Sequence, residues 1–272
     1  MFIQNKKTPD FLLPGFQKCG TWALSHYLLQ HPDVTIPKRE IHYFDKFWHK
    51  GIDWYLSQLD NGKLVGEKTP AYVHHPERVH QVLPNAKFVF LLRNPVDRSF
   101  SHYWHYRKNF LEFRPFKRII RNKSSPYIKE SCYKEILQNW MKFFSKNQCM
   151  FILSKNFSKN RQYYMNKVFD FLGIDMYELE DLQDRNRTVM PKSRFVSFTL
   201  FPVAWLEKLS PFVSTRHLLR YFLTEVRKLN QGERYPKMDA DVRRHLTNYF
   251  RECNKGLSNI IGIDVSKWWV VD

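Results

Sequence analysis

The sequence predicts an α/β fold in which helices flank a central, mostly parallel sheet, with a helical C-terminal portion after it. Short apolar runs bounded by turn residues recur over residues 11–153, as is typical of strands buried in a parallel sheet. Segments of helical spacing alternate with these runs, and this order implies right-handed crossovers between parallel strands. From 202 to 261 the spacing is helical, with one break around 230–236. We therefore expect a single domain over residues 1–272.

Each predicted element follows from its local pattern. The strands cover Phe11–Pro14, Val34–Ile36, Leu64–Glu67, Lys87–Leu92 and Met150–Leu153. The helices cover Thr21–Gln30, Ile52–Gln58, Pro76–Val82, Pro95–Tyr106, Ser131–Ser145 and Lys159–Leu172. Between Asn109 and Glu130 the chain is basic and is interrupted by Pro115 and Pro126, which predicts an irregular excursion or a mobile loop.

The loop after the first strand carries the clearest chemical signal. Phe11–Leu24 consists of an apolar run, a short loop with Lys18 and Gly20, and an amphipathic segment. The amide groups of such a loop and of the following helix N-terminus would face an anion, so the three-layer fold is predicted to be P-loop-like. A Walker A motif places lysine directly after its second glycine. Here Lys18 precedes Gly20 by two positions, which predicts that the loop holds a different phosphate group.

A second signal lies at the end of the fourth predicted strand. The apolar run Phe88–Leu92 ends at Arg93, and Asn94-Pro95 turns the chain into a helix that carries Ser101. A guanidinium and a hydroxyl so placed can grip one phosphate, with the arginine making two parallel hydrogen bonds. The alternative is that Arg93 pairs with Asp97 and caps the helix. The segment alone leaves both interpretations open.

A third group of residues follows the second and third predicted strands. Glu40 and His42 lie just beyond Val34–Ile36, and either side chain can take a proton from an attacking hydroxyl or amine. Lys68 lies just beyond Leu64–Glu67. The alternative is a surface ion pair for Glu40 and an ordinary solvated side chain for Lys68.

The charge of the chain indicates an anionic partner. The sequence has 44 Lys and Arg residues against 26 Asp and Glu, which gives a net charge of +18 and a pI near 9.7. The basic residues are scattered along the chain, which argues against a nucleic-acid-binding tail. Arg107, Lys108, Arg114, Lys117 and Arg118 either line a cleft for a polyanionic acceptor or are solvated loop charges.

Cysteine usage predicts a reducing compartment. Cys19, Cys132, Cys149 and Cys253 are widely spaced and form no CxxC pair, so we expect reduced thiols rather than a disulfide framework or a zinc site. For Cys19, inside the loop, a packing role is favoured over a nucleophilic one. Met1–Asp10 has no apolar leader and no run of ~18 apolar residues occurs, so a cytoplasmic location is expected.

Together these segments resemble the sulfotransferases that use 3′-phosphoadenosine 5′-phosphosulfate (PAPS), most closely the N- and 3-O-sulfotransferases of the heparan sulfate branch. Lys18–Leu24 matches the K-x-G-T-T-A-L motif of that branch, and Lys38–Asp45 matches K-E-[IV]-H-[FY]-F-D. Glu67–Tyr72 matches E-K-T-P-x-Y, and Arg93–Ser101 matches R-[DN]-P-x-x-R-x-x-S. The order and the approximate spacing of the four motifs agree, and a weaker match covers 235–257.

The resemblance implies a nucleotide site on both sides of the loop. Its residues would be Lys18, Cys19, Gly20, Thr21, Trp22, Arg93, Ser101 and Arg234. The loop amides would cradle the 5′-phosphosulfate, and Lys18 would neutralise the bridging oxygen as the sulfuryl group departs. Arg93 and Ser101 would hold the 3′-phosphate, which distinguishes PAPS from ATP. Trp22 replaces a threonine of the family motif, and Arg234 is the cation expected to remain in the loop that closes over the cofactor.

On the acceptor side the resemblance implies that Glu40 is the general base, with His42 and Lys68 lining the acceptor and polarising the site. With Lys18, these are the expected catalytic residues, and no metal ion is expected because lysines stabilise the charge. The implied acceptor is a saccharide or polysaccharide, with a lipid-linked saccharide, a protein tyrosine and a small alcohol left open. A bacterial or viral soluble enzyme, or an excised domain, fits these features.

Three other interpretations remain. A P-loop kinase or NTPase would explain the loop, but the chain lacks a lysine after the second glycine and a clear acidic strand end for magnesium. A nucleic-acid-binding module would explain the charge and the aromatic run His102–Tyr106, although such a run at helical spacing is more typical of a core or a cleft, and no nucleic-acid partner is expected. An inactive homologue would explain the altered loop at 231–234.

Overall fold

The computed structural model describes residues 8–109, 111–182, 189–193 and 213–270. The main sheet contains β1 Phe11–Leu12, β2 Val34–Thr35, β3 Leu64–Glu67, β4 Lys87–Leu92 and β5 Cys149–Leu153. These five strands pair in the order β2-β3-β1-β4-β5, and every pair is parallel. The α/β fold class predicted from the sequence is therefore confirmed.

Helices connect the strands and flank the sheet. They are α1 Thr21–Leu28, α2 Gly51–Ser57, α3 Pro76–Val82, α4 Pro95–Lys108, α5 Phe116–Ile119, α6 Pro126–Lys129, α7 Tyr133–Trp140, α8 Ser154–Lys159, α9 Arg161–Leu172, α10 Val213–Leu229, α11 Ala240–Cys253 and α12 Leu257–Ile261. Shorter helical turns occupy Trp48–Lys50, Pro70–His74, Lys146–Gln148 and Ser266–Trp268. Within the described ranges, none of the helices is both long and apolar enough to cross a bilayer.

The first strand of the chain lies at the centre of the main sheet. Phe11 of β1 pairs with Gly66 of β3 on one side and with Lys87 of β4 on the other. The Phe11 ring of β1 lies so close to β3 that a Cβ on Gly66 would lie 2.1 Å from it. The side chains of β1 and of most of β4 are fully buried, so the sheet core lies directly below the loops that leave these strands.

The segment between Asn109 and Glu130 differs from its prediction. Both of its prolines begin helices, because Pro115 is the residue before α5 and Pro126 is the first residue of α6. Proline suits these positions, since its fixed φ favours the first turn and its missing N–H has no intrahelical partner there. Buried residues of α5 and α6 pack with α4 and α11 in a second hydrophobic core.

The break predicted around 230–236 contains a strand rather than a loop. Here β7 Gln231–Arg234 pairs antiparallel with β6 Val189–Pro191. Neither segment has the apolar alternation that indicates a strand, so the pattern gave no sign of this pair.

The prediction of four reduced cysteines is wrong for one pair. Cys132 and Cys253 form a disulfide, with 5.5 Å between their Cα atoms and a sequence separation of 121 residues. Cys132 directly precedes α7 and Cys253 ends α11, and the packing of α11 against α4 and α6 brings these ends together. Spacing rules find pairs that are close in sequence, so they could not find this one. Cys19 and Cys149 are buried free thiols.

Candidate functional site

The predicted site residues lie along one edge of the main sheet. Because its strands are parallel, their carboxyl ends share one edge, which is where ligands bind in such sheets. Across this edge the order is Glu40 and His42 after β2, Lys68 after β3, Lys18 after β1 and Arg93 after β4. The residues predicted for the acceptor therefore lie on one flank of Lys18, and the arginine predicted for the 3′-phosphate lies on the other.

The phosphate loop, residues 15–20, has three consecutive carbonyl groups bound by side chains from other elements. The hydrogen bonds are Arg98 Nε to the Gln17 carbonyl at 3.1 Å, Arg93 Nη1 to the Lys18 carbonyl at 3.4 Å, and the Ser154 hydroxyl to the Cys19 carbonyl. Carbonyl oxygens repel an anion, whereas amide groups attract one. Engaging the carbonyls from outside therefore favours an anion at the amides of the loop.

The backbone of the phosphate loop is left-handed at three positions. The φ angles are +51° at Gly15, +71° at Lys18 and +106° at Gly20. For a lysine this conformation is uncommon, and it persists where the surrounding structure holds it. Gly20 precedes α1 and has no side chain to cap it, so the first-turn amides of α1, which lack intrahelical partners, are available to a ligand.

Lys18 is half-buried among other positive charges. Burial, and then the nearby charges of Lys108 and Arg93, together lower the pKa of Lys18 to about 8. The pKa of His105 falls to about 4, mainly through burial and then through Lys18 and Lys108. His105 and Lys108 both belong to α4, which carries them towards Lys18. This cluster of like charges would be stabilised by an anion, because an anion offsets the mutual repulsion.

The other loop residues are placed as follows. Cys19 is 2% exposed, burial raises the pKa of its thiol, and its Sγ lies 3.8 Å from the Tyr133 hydroxyl. This environment favours packing over nucleophilic reactivity, as the sequence indicated. Thr21 is buried at the start of α1, whereas Trp22 is 40% exposed and stacks on His26 with ring centroids 5.4 Å apart.

At the start of α4 the structure shows which partner Asp97 has. Asn94 caps the helix, because its side-chain oxygen accepts from two backbone amides of the first turn. Asp97 pairs with Arg243 at 2.7 Å rather than with Arg93. The alternative in which Arg93 caps the helix through Asp97 is therefore wrong. Arg93 is half-buried beside the phosphate loop, and Ser101 is buried two turns into α4.

The acceptor loop, residues 40–45, brings two carboxylates to one imidazole. Glu40 Oε2 lies 3.4 Å from His42 Nε2, and Asp45 Oδ2 lies 2.9 Å from His42 Nδ1. The Glu40 side chain is 37% exposed, whereas that of Asp45 is 10% exposed. The side-chain contact that the structure shows for Glu40 is thus with His42, not with Lys38 or Arg39. His42 has a φ of +58°, another left-handed backbone held at this edge.

A buried carboxylate supports the acceptor loop from below. Glu67 has no exposed surface, and burial raises its pKa. Its donors are the Tyr55 hydroxyl at 2.6 Å, the Thr69 hydroxyl at 2.7 Å, the Tyr72 hydroxyl and the Ile41 amide. The Tyr72 oxygen in turn accepts the Tyr43 amide at 2.7 Å. Glu67 therefore fixes backbone groups on both sides of His42, while its neighbour Lys68 is half-buried at the strand end.

Sequence reasoning missed several residues of this edge. Asp45 and Arg98 stand inside quoted motifs, and their spacing from His42 and Arg93 was the available signal. Ser154 follows the last strand of the sheet, where the strand-end rule applies as it does to Arg93.

Other predicted residues lie away from this cluster or outside the description. Arg114 pairs with Glu112 at 2.7 Å, and Lys117 pairs with Asp239 at 3.0 Å, so these two cations are engaged locally. The backbone of Arg234 belongs to β7, but its side chain lies outside the described part of the chain.

Comparison with known proteins gives concordant matches. The model of the sulfotransferase domain family matches residues 8–258. Mouse bifunctional heparan sulfate N-deacetylase/N-sulfotransferase 3 is 26% identical over 283 residues, which cover 94% of this chain and 30% of that protein. Human heparan sulfate glucosamine 3-O-sulfotransferase 6 is 26% identical over 273 residues, which cover 95% of this chain and 73% of that protein. The chain thus spans 30% of the length of the mouse relative.

A solved structure has a similar fold. The crystal structure of a sulfotransferase from Alicyclobacillus acidocaldarius superimposes with a TM-score of 0.69 at 23% identity, covering 96% of this chain and 99% of that one. The family resemblance drawn from the four motifs is confirmed by these matches.

Proposed function

Because this chain belongs to the sulfotransferase domain family, we propose that it moves a sulfuryl group from PAPS to a hydroxyl or amine of a saccharide by in-line transfer. One observation carries the proposal. A phosphate loop bearing Lys18, Arg93 bound to that loop, and the Glu40–His42–Asp45 group meet at a single sheet edge. In-line transfer needs a donor site and an acceptor base on opposite sides of the reacting group, and in this proposal the residues of this edge would supply both.

The phosphate loop fits a nucleotide that carries negative charge at its 5′ end. Its carbonyls are engaged from outside, and Lys18 is half-buried beside Arg93 and Lys108, so an anion there offsets an existing repulsion. Bound PAPS would supply an activated sulfuryl group. Lys18 would neutralise charge that develops on the leaving side, and the amides at the start of α1 would hold the oxygens. Arg93 and Ser101 would bind the 3′-phosphate.

On the acceptor side, Glu40 would take the proton from the attacking hydroxyl or amine. Its carboxylate is exposed enough to meet an acceptor, whereas Asp45 is buried and holds Nδ1 of His42. His42 Nε2 lies 3.4 Å from Glu40 Oε2, and when this nitrogen carries a proton it would donate to the carboxylate and orient it. Lys68 would position the acceptor from the next strand end. In this proposal, lysine and arginine side chains supply the positive charge of the site without a metal ion.

The acceptor class is proposed from the relatives and the charge. Both named relatives act on heparan sulfate by their printed names. A net charge of +18 suits a polyanionic glycan. We take residues 1–272 as one sulfotransferase domain. The cytoplasmic location stays a prediction, and the Cys132–Cys253 disulfide argues against it, because disulfides persist in oxidising compartments.

The deciding experiment is a calorimetric titration without magnesium, using adenosine 3′,5′-bisphosphate, AMP and ATP. We expect the bisphosphate to bind, and its affinity to fall when the 3′-phosphate is missing. A preference for ATP that appears only with magnesium would favour the kinase or NTPase alternative. Absence of all binding would favour an inactive homologue.

The acceptor is tested by transfer of radiolabelled sulfate from PAPS. Unsulfated N-acetylated heparosan offers hydroxyl groups alone, whereas its N-deacetylated form also offers amines. Label in both indicates O-sulfation, and label in the deacetylated form alone indicates N-sulfation. If the bisphosphate binds and neither polymer is labelled, the saccharide part of the proposal is wrong.

A further inference from the structure

We propose that Arg98 is a positioning residue that ties the phosphate loop to the disulfide-linked C-terminal helix α11. Arg98 is a buried cation in the first turn of α4 to which the proposed mechanism gives no role. The inference rests on the proposed function, because it concerns how the phosphate loop binds the 5′ end of a nucleotide.

All three nitrogens of the Arg98 guanidinium are engaged. The side chain has no exposed surface. Nε donates to the Gln17 carbonyl at 3.1 Å, and Nη1 donates to the Ser131 hydroxyl at 2.8 Å. Nη2 donates to the Glu130 carboxylate and to His102 Nδ1, the latter at 3.3 Å. Because the planar guanidinium carries N–H donors that point in several directions, it can bridge several partners at once. The cation therefore links the loop to segment 130–131.

Segment 130–131 is itself anchored to α11. Cys132 follows it directly and forms the disulfide with Cys253, the last residue of α11. The next residue, Asn254, donates from Nδ2 to the Ser131 carbonyl at 3.1 Å. A covalent bond and a buried hydrogen bond thus hold the residues to which Arg98 is attached. Through its hydrogen bond to the Gln17 carbonyl, Arg98 holds the phosphate loop in a fixed position relative to these residues.

The loop contact falls on a peptide group that matters for binding. The carbonyl of Gln17 and the amide of Lys18 belong to one peptide, and in a trans peptide the two point in opposite directions. A donor on the carbonyl therefore sets the direction of the amide. Lys18 also has a φ of +71°, so the chain turns at this point and needs support. Arg93, proposed for the 3′-phosphate, meets the loop at the next peptide, through the Lys18 carbonyl, and Ser101 lies on α4, so neither is bonded to the Gln17–Lys18 peptide.

The test uses two ligands that separate the ends of the nucleotide. AMP presents a 5′-phosphate, whereas adenosine 3′-monophosphate presents a 3′-phosphate. Arg98→Lys keeps the positive charge beside Glu130, but its single nitrogen cannot reach Gln17 and Ser131 together. We expect the affinities for AMP and for adenosine 3′,5′-bisphosphate to fall roughly ten-fold or more, as loss of a charge-assisted contact does. The affinity for adenosine 3′-monophosphate should stay within about two-fold.

A milder variant and a matched control complete the design. Ser131→Ala removes the partner of Nη1 and leaves the charge in place, so the AMP affinity should fall roughly three-fold. This variant carries the test if Arg98→Lys does not fold. Arg78→Lys makes the same exchange at an arginine that donates to the Phe44 carbonyl at 2.8 Å, in the acceptor loop rather than in the phosphate loop, and should leave all three nucleotide affinities unchanged.

Two results would overturn the inference. One is unchanged AMP affinity in folded Arg98→Lys or Ser131→Ala protein. The other is an equal loss for adenosine 3′-monophosphate, which would indicate a general structural role. If the wild-type protein binds none of the three ligands, the proposed function itself is wrong. That outcome is visible before any variant is made.

Discussion

At the scale of single residues, different interactions determine the charge of Lys18 and the orientation of the Glu40 carboxylate. Lys18 is half-buried, and the nearby cations Lys108 and Arg93 disfavour its protonated form. Glu40 is exposed and is oriented through His42 and Asp45. Binding of an anion would stabilise the charge of Lys18, whereas the position of the Glu40 carboxylate depends on its contact with His42. Their variants should therefore affect different steps.

Nucleotide affinity should fall as the pH rises through about 8, the pKa of Lys18. Above this pH the folded protein loses a proton that an unfolded lysine, with a pKa of 10.5, keeps, so Lys18 no longer contributes charge to the site. Affinity should rise between about pH 5 and 7, because phosphate loses its second proton near about pH 6. Calorimetry with adenosine 3′,5′-bisphosphate across this range gives the profile.

Lys18→Arg is the control for this prediction. Arginine stays charged at high pH, so the fall in affinity above about pH 8 should disappear. If the fall persists in Lys18→Arg protein, another group such as Lys108 is responsible.

Glu40→Gln should reduce sulfuryl transfer by roughly 10²-fold or more, because the amide cannot accept the proton. Adenosine 3′,5′-bisphosphate affinity should stay unchanged, since Glu40 lies on the other flank of the phosphate loop. Asp45→Asn should cause a smaller fall, because Asp45 acts through His42. Glu77→Gln, which removes an exposed carboxylate on α3, is the matched control. Full transfer by Glu40→Gln would make His42 the next candidate for the base.

At the scale of elements, the structure separates what local pattern can and cannot predict. The unit from Phe11 to Leu24 was predictable, because a buried strand, a turn and a helix each have a recognisable pattern of adjacent residues. The contacts of Arg98 were not predictable, because its partner Ser131 is near it only after α4 and α6 have packed. The pairing of Cys132 with Cys253 needs the packing of α11 in the same way.

A second element-scale feature is the contact between the phosphate loop and the helical turn Pro70–His74. Gly15 has a φ of +51°, and a Cβ there would lie 2.6 Å from the Val73 Cβ. Gly15→Ala should lower the free energy of unfolding by roughly 2–5 kcal/mol, the sum of the left-handed backbone cost and of overpacking. Urea denaturation measures this change.

The control for Gly15 is another left-handed glycine in open space. Gly256 has a φ of +85° with nothing within 4 Å of a built Cβ, so Gly256→Ala should cost about 1–2 kcal/mol. Adding Val73→Ala to Gly15→Ala should recover part of the loss, because it removes the Val73 Cγ atoms at 2.8 and 3.0 Å and keeps the Cβ. Equal costs at the two glycines would mean that contact with Val73 plays no part.

At the scale of the whole molecule, the described residues form two hydrophobic cores. One surrounds the main sheet, and the other lies among α4, α5, α6 and α11. The Cys132–Cys253 disulfide closes a long stretch of chain across them, with a separation of 121 residues. A crosslink between residues so far apart in sequence strongly lowers the conformational entropy of the unfolded chain.

Replacing both cysteines by serine, Cys132→Ser with Cys253→Ser, should lower the free energy of unfolding by roughly 4–5 kcal/mol in the chain-entropy model. A reductant should shift the denaturation midpoint of the wild-type protein towards that of the variant and leave the variant unchanged. Thiol titration of the denatured, unreduced protein should detect Cys19 and Cys149 alone. Four reactive thiols would contradict the disulfide and restore the original prediction of a reducing compartment.

The central position of β1 has a consequence for biosynthesis. Phe11 leaves the ribosome before both of its partners, because Gly66 and Lys87 are translated later. At a usual rate of about 5–20 residues per second, the strand waits roughly 4–15 s for its second neighbour. The segment that carries Lys18 must wait longer still, until Ser131 and Cys253 have followed. The segment that carries Lys18 is therefore completed long after it has been synthesised.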